Sequence, residues 1–235
     1  MQAQTQPAVW RRLVRAALWA VVPKPSRGRL GRRLTQLLIG LILYGISDSF
    51  LVLGGLGLDP WDVFQQGLAR HSAIPIGTWS IIVGIAVLGL WIPLRQRPGV
   101  GTLGNAMLVG LAMDVILGAT SPPHALWLRA VLMAAGVGLN GIATGAYIGA
   151  GLGPGPRDGL MTGLAARGYS LRLARTSIEV TVLIVGWLLG GTVGIGTLLY
   201  ALSIGPLAHA FIPRFTVIAR PGEAGAGSDT FATGQ

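Results

Sequence analysis

The chain repeats itself. Gly57-Leu58-Asp59-Pro60-Trp61-Asp62, followed by Gly67-Leu68-Ala69, returns as Gly153-Pro154-Gly155-Pro156-Arg157-Asp158, followed by Gly163-Leu164-Ala165, at a constant offset of 96 residues. Upstream, Gly45-Ile46 answers to Gly141-Ile142; downstream, Trp91 answers to Trp187. One deletion then shifts the register to 95, aligning Gly99-Val100-Gly101-Thr102-Leu103 with Gly194-Ile195-Gly196-Thr197-Leu198. An internal duplication of this length limits the fold to two similar halves that must pack on each other.

Each half is too apolar for a water-soluble core. With 51% hydrophobic and 11% charged residues, the uninterrupted apolar runs match a hydrocarbon layer of about 30 Å. Six spans are expected, at residues 34–58, 77–94, 101–118, 128–152, 174–191 and 196–213. The net charge of +10 does not point to nucleic acid, because the basic residues fall by side of the membrane. With the N-terminus inside, 16 of the 18 Lys and Arg residues are cytoplasmic, and only Arg70 and Arg129 are outside. This positive-inside bias places both termini in the cytoplasm. The 17 arginines to 1 lysine fit a GC-rich bacterial genome, and the absence of cysteine excludes disulfides and thiolate metal sites.

Residues 1–33 read as a basic cytoplasmic segment. Trp10, Leu13, Val14, Ala17, Leu18 and Val21 recur at helical spacing beside Arg11, Arg12 and Arg15, the pattern of an interfacial helix against anionic headgroups. No signal peptide is expected, since the first long apolar run leads into the repeat. Residues 34–118 and 128–213 form the two repeats, and residues 214–235 a disordered tail. Three spans per repeat is an odd number, so the second copy enters from the opposite side. The expected fold is therefore an all-α membrane protein of six transmembrane helices, built as two inverted-topology repeats of three, each with a short broken or re-entrant helix.

The duplicated motifs, together with Arg97-Pro98-Gly99-Val100-Gly101-Thr102-Leu103-Gly104-Asn105, Arg175-Thr176-Ser177-Ile178-Glu179-Val180 and Ile204-Gly205-Pro206-Leu207, resemble those of the YczE family of bacterial integral membrane proteins (YczE/YitT-like). The resemblance covers about residues 40–213 and implies a multi-pass inner-membrane protein. It carries no catalytic or binding assignment.

Candidate ligand-binding residues are Asp48, Asp62, Asp158, Asn140 and Glu179. Asp62 and Asp158 each lie two residues after a proline suited to the first helical position, where the helix dipole accommodates a carboxylate without any ligand. Alternatively, two short helices entering from opposite faces aim these acids at a central cavity for a cation, proton or amine. Asp48, Asp114, Asn140 and Glu179 fall inside predicted spans, where a carboxylate at the bilayer centre costs about 2.5–3.5 kcal/mol and therefore faces a partner or water. Glu179 has the i,i+4 pair with Arg175 as an alternative, Asp114 a helix cap, and Asn140 an interhelical hydrogen bond. The Gly-x-Gly-Thr pair fits close helix packing. No metal site is expected from the scattered His71, His124 and His209, and no cofactor, nucleophile elbow or nucleotide fingerprint is present, so no enzyme is expected.

The expected function is a small polar-molecule or ion-coupled transporter, with the substrate's identity open. The alternative is a substrate-binding or accessory membrane subunit acting with a partner protein, since 24.4 kDa is small for an autonomous carrier. A homodimer or an energising partner subunit would answer that objection.

Overall fold

The computed structural model describes residues 29–217, all of whose regular structure is helical. The expected interfacial helix of residues 9–22 and the tail from residue 218 lie outside the described residues. Among the described residues eight helices follow in order: α1 (Leu30–Gly54), α2 (Pro60–Arg70), α3 (Ile76–Leu94), α4 (Val100–Ala119), α5 (Leu126–Gly149), α6 (Pro156–Ala166), α7 (Leu171–Leu188) and α8 (Ile195–Phe215). In both copies of the repeat, one long helix breaks, a short one restarts, and two more follow.

The break has the same cause each time. Gly55 and Gly151 end their helices with φ of 58° and 65°, and Gly57 and Gly153 follow at 125° and 123°, values that only glycine adopts freely. Pro60 and Pro156 then restart the chain at the first helical position, where a missing N–H costs nothing. Gly57 is also pressed onto the other half: a Cβ there would lie 2.6 Å from the Thr197 nitrogen. Its counterpart Gly153 would meet the Thr102 hydroxyl at 2.8 Å.

These contacts are reciprocal. Gly196 N–H donates to the Leu56 carbonyl at 2.9 Å, and Gly101 N–H to the Leu152 carbonyl at 2.9 Å. The Gly-x-Gly-Thr motifs therefore serve as expected in close packing, each seating the start of a long helix on the break of the opposite copy.

α1 and α5 form the central pair and run antiparallel. Gly40 near the start of α1 faces Ala146 and Tyr147 near the end of α5, while Gly136 faces Ser47 and Leu51. At the two ends of this pair an arginine from one helix caps the other. Arg33 donates to the Ala150 and Gly151 carbonyls at 2.8 and 2.7 Å, and Arg129 to the Gly54 and Gly55 carbonyls at 2.7 and 2.8 Å. A guanidinium there satisfies carbonyls left open by the helix end and opposes the dipole. Arg70 likewise donates to the Gly190 carbonyl and the Thr192 hydroxyl. The two charges that depart from the positive-inside pattern thus have structural work at helix ends. Arg33, assigned from sequence to the basic N-terminal segment, belongs to the folded core, because α1 begins at Leu30.

Outside this pair, α4 packs on α1 and α8 on α5, while α2 packs on α7 and α6 on α3. Each member of those pairs is exchanged for its repeat counterpart. The outward faces are apolar, with Ile92, Val115, Trp127, Leu188 and Leu202 among many exposed large side chains, as expected where lipid rather than water is the neighbour. Among the described residues five helices, α1, α3, α4, α5 and α8, are long and apolar enough to cross a membrane. The fifth expected crossing, residues 174–191, corresponds to α7, whose 18 residues include Arg172, Arg175 and Glu179 in the first half.

Candidate functional site

The restart of α2 builds the most unusual feature of the interior. Asp59 is the N-cap: its Oδ1 accepts the backbone N–H of Trp61 at 2.7 Å and of Asp62 at 3.0 Å, the ordinary role of aspartate at a helix start. That places Asp62 in the first turn, fully buried, and brings both acids to the side of α1 that carries Asp48. One carboxylate oxygen from each of Asp48, Asp59 and Asp62 lies within 4.8 Å of the other two. Their residues are 0%, 2% and 0% exposed, so water cannot spread the charge.

In each acid one oxygen has partners and one has none. Asp48 Oδ1 accepts from Asn140 Nδ2 at 2.9 Å, and the same amide reaches the Ser47 hydroxyl at 3.0 Å. The Asn140 carbonyl oxygen in turn accepts the Tyr200 hydroxyl at 3.2 Å. Asp62 Oδ1 accepts the Gln65 amide nitrogen at 3.0 Å when that amide is oriented with its oxygen toward Arg157, 2.7 Å away. Among the described residues, Oδ2 of Asp48, Asp59 and Asp62 and the Trp61 indole N–H find no hydrogen-bond partner. Buried polar atoms nearly always have one.

Among the described residues a single cation, from the second repeat, faces the acids. The Arg157 guanidinium stands 3.8 Å from Asp59 Oδ1 and 3.8 Å from Asp62 Oδ1 and stacks over the Trp61 ring with 5.1 Å to its centroid. Arg157 and Trp61 occupy equivalent positions in the two copies. Three ionised carboxylates against one guanidinium leave an excess of two negative charges, which a low-dielectric interior does not tolerate unless cations or protons balance it.

Arg157 also forms a wall of a small polar cavity of about 50 Å³, together with Tyr44, Ser80, Asn105, Tyr147 and Asp158. Its guanidinium side chain is 22% exposed. The cavity can hold a few waters or a small polar group. Tyr147 donates its hydroxyl to Asp158 Oδ2 at 2.6 Å and meets Tyr44 edge to face.

Of the sequence-predicted residues, Asp48, Asp62 and Asn140 come together. Asp158 lies on the far side of Arg157, in the cavity wall; one continuous cavity lined by Asp48, Asp62 and Asp158 is not what forms, since neither Asp48 nor Asp62 borders it. Glu179 stands apart, paired with Arg175 at 2.9 Å on α7. Asp48 is in the last two turns of α1 rather than mid-span, because Gly55 ends that helix earlier than the apolar run suggests. Asp114 accepts the Gly77 N–H at 2.7 Å and the Thr78 hydroxyl at 2.6 Å, capping α3.

Asp59, Gln65, Arg157 and Tyr200 complete the centre and were missed. Asp59 had a signal, since Asp before Pro is an N-cap pattern. Gln65 and Tyr200 are single polar residues with no pattern of their own.

The chain matches the family of unknown function DUF6198 over residues 31–213. A protein of Haemophilus influenzae described as uncharacterized is 40% identical over 190 residues, covering 80% of this chain and 86% of that one. The uncharacterized membrane protein YczE of Bacillus subtilis is 33% identical over 186 residues, 77% of this chain and 86% of its own. The uncharacterized protein YyaS of the same organism is 27% identical over 182 residues, 74% and 90% of the two chains. No solved structure matches.

Proposed function

The chain belongs to the YczE-like family DUF6198 of multi-pass membrane proteins, and from that premise we propose that it is an ion-coupled transporter of a small polar molecule. The observation that carries this reading is the buried centre of three carboxylates with unpartnered oxygens beside a polar cavity, at the place where two short helices restart. Intramembrane ionisable residues are expensive and mark ion or substrate pathways. Broken helices meeting between repeats supply such sites in carriers.

In this reading α7 is the sixth crossing. Its 18 residues span about 27 Å at 1.5 Å per residue, and Arg172 and Arg175 snorkel to the cytoplasmic interface. Both termini are then cytoplasmic in the inner membrane and the two repeats have inverted topology. Single cysteines at Ala73 and Tyr169, in a chain with no native cysteine, test the topology: an impermeant maleimide should label only Ala73→Cys in intact cells, and labelling of both would overturn it.

Transport is tested with the purified chain in liposomes on a solid-supported membrane, exposed to ion gradients and a panel of small polar solutes. Solute-dependent charge movement that disappears in Asp62→Asn is expected. Silence throughout, with an energising subunit recovered from native membranes, would favour the accessory-subunit reading instead.

A further inference from the structure

We propose that Asp48, Asp59 and Asp62 form the oxygen cage of a hard divalent cation, one ion per chain, with each acid contributing a carboxylate oxygen. The inference deepens the ion-coupled reading above, but its test does not use transport.

Four observations converge. First, the spacing is right: at metal–oxygen distances of about 2.3–2.6 Å, ligands across a Ca²⁺-sized ion stand about 4.6–5.2 Å apart, and those around Mg²⁺ about 4.2 Å or less. One oxygen from each acid lies within 4.8 Å of the others. Second, the protein leaves ligand capacity unused. Asp48 Oδ1 is held by Asn140, Asp59 Oδ1 by the α2 backbone and Asp62 Oδ1 by Gln65, while all three Oδ2 atoms are buried without a partner. A divalent cation can take one oxygen from each of the three acids, whereas a proton bonds one carboxylate oxygen at a time.

Third, the charge balances: three carboxylates and the Arg157 guanidinium sum to −2, the complement of a divalent ion. Fourth, the donor set is all oxygen. The chain has no cysteine, and His71 is engaged with the Gly67 carbonyl at 3.0 Å. Such a set selects Mg²⁺, Mn²⁺ or Ca²⁺ over Zn²⁺ or Cu⁺. The sequence reading expects no metal because it weighs the scattered histidines and the missing cysteines, whereas these ligands are acids, Asp48 on α1 and Asp59 and Asp62 at the start of α2.

The probe is Mn²⁺ alone, titrated into the EDTA-treated full chain in detergent, with free Mn²⁺ read by electron paramagnetic resonance and thermal unfolding followed in parallel. Saturable binding of a single Mn²⁺ is expected, displaced by Ca²⁺ or Mg²⁺ and not by excess Na⁺. Asp59→Asn is the decisive variant: asparagine caps a helix as well as aspartate, so the fold is retained while affinity falls by about tenfold or more through loss of ligand charge. Asp48→Asn should fall likewise, and Glu179→Gln should bind as wild type.

Absence of saturable binding of all three ions would overturn the proposal. So would wild-type affinity in Asp59→Asn, or stabilisation by acid alone with no effect of divalent ions, the behaviour of a proton site. If Asp48→Asn does not fold, the wild-type titration and Asp59→Asn still decide. Mn²⁺ binding without flux in liposomes would refute the transport reading and leave the site standing; flux without binding would do the reverse.

Discussion

Replacing Arg157 with methionine keeps an unbranched apolar stem and removes the guanidinium, which among the described residues is the cation that faces the three acids. Arg157 holds ion pairs at 3.8 Å to Asp59 and Asp62, the Gln65 carbonyl at 2.7 Å and the face of Trp61. Removing one member of a buried ion pair costs about 3–5 kcal/mol, because the surviving charge stays buried and unpaired. The partial exposure of Arg157 screens part of that, so a value near the lower end, about 3 kcal/mol, is expected. For a chain of this size that lowers Tm by about 6–12 °C.

The assay is thermal unfolding in detergent with EDTA present, so that no cation compensates, on wild type, Arg157→Met, Asp62→Asn and the double variant. In the Asp62→Asn background one acid no longer needs balancing, and the cost of Arg157→Met should shrink by about 1–2 kcal/mol, a coupling within the range of neighbours that share a network. Arg157→Met should also tighten Mn²⁺ binding, since it removes a charge that competes for the same carboxylates. Strict additivity of the two substitutions, or a single-variant loss under about 1 kcal/mol, would refute the electrostatic reasoning.

Gly57→Ala should lose most of its folded yield on size-exclusion chromatography, from about 1–3 kcal/mol of backbone strain and a similar overpacking penalty against Thr197; Gly153→Ala should do the same for the second copy. Arg129→Ala strips two charged hydrogen bonds from the Gly54 and Gly55 carbonyls and should cost about 2–3 kcal/mol in thermal unfolding. Glu179→Gln removes only the i,i+4 pair with Arg175 on α7 and should change stability by no more than about 0.5 kcal/mol.

The helices were legible because their causes are local. Gly55, Gly57 and Pro60, and their copies at 151, 153 and 156, dictate where the chain breaks and restarts whatever surrounds them. The site was legible only in part, because most of its members are defined by partners far along the chain. Asp48 and Asn140 stood out as polar residues in apolar runs, yet only the antiparallel packing of α1 and α5 shows that they face each other, 92 residues apart in sequence. The caps of Arg33 and Arg129 were hidden for a related reason. An arginine at a span end satisfies the topology signal equally well in solvent or on a helix end, and only the packed structure distinguishes the two.

The duplication itself explains why the chemistry is one-sided. Contacts that hold the halves together come in matched pairs: Arg33 with Arg129, Gly57 with Gly153, Thr102 with Thr197. Around Arg157 the matching fails. Asp48 answers to Thr144, Asp59 to Gly155, Gln65 to Met161, and the Asn140–Tyr200 pair to Tyr44 and Asn105. Those last two, with Gly155 and Asp158, line the cavity. The same location is therefore packed with carboxylates in one half and hollow in the other, because Gly155 has no side chain where Asp59 has a carboxylate. Arg157 stands between them, contacting the acids on one side and the cavity on the other. A ligand in the hollow and a cation among the acids would both act on the same guanidinium, so their affinities must be linked through it by whatever differential contact each makes. Titrating Mn²⁺ at rising concentrations of a solute identified in the liposome panel measures that linkage directly: a solute that leaves the Mn²⁺ affinity unchanged does not bind against Arg157.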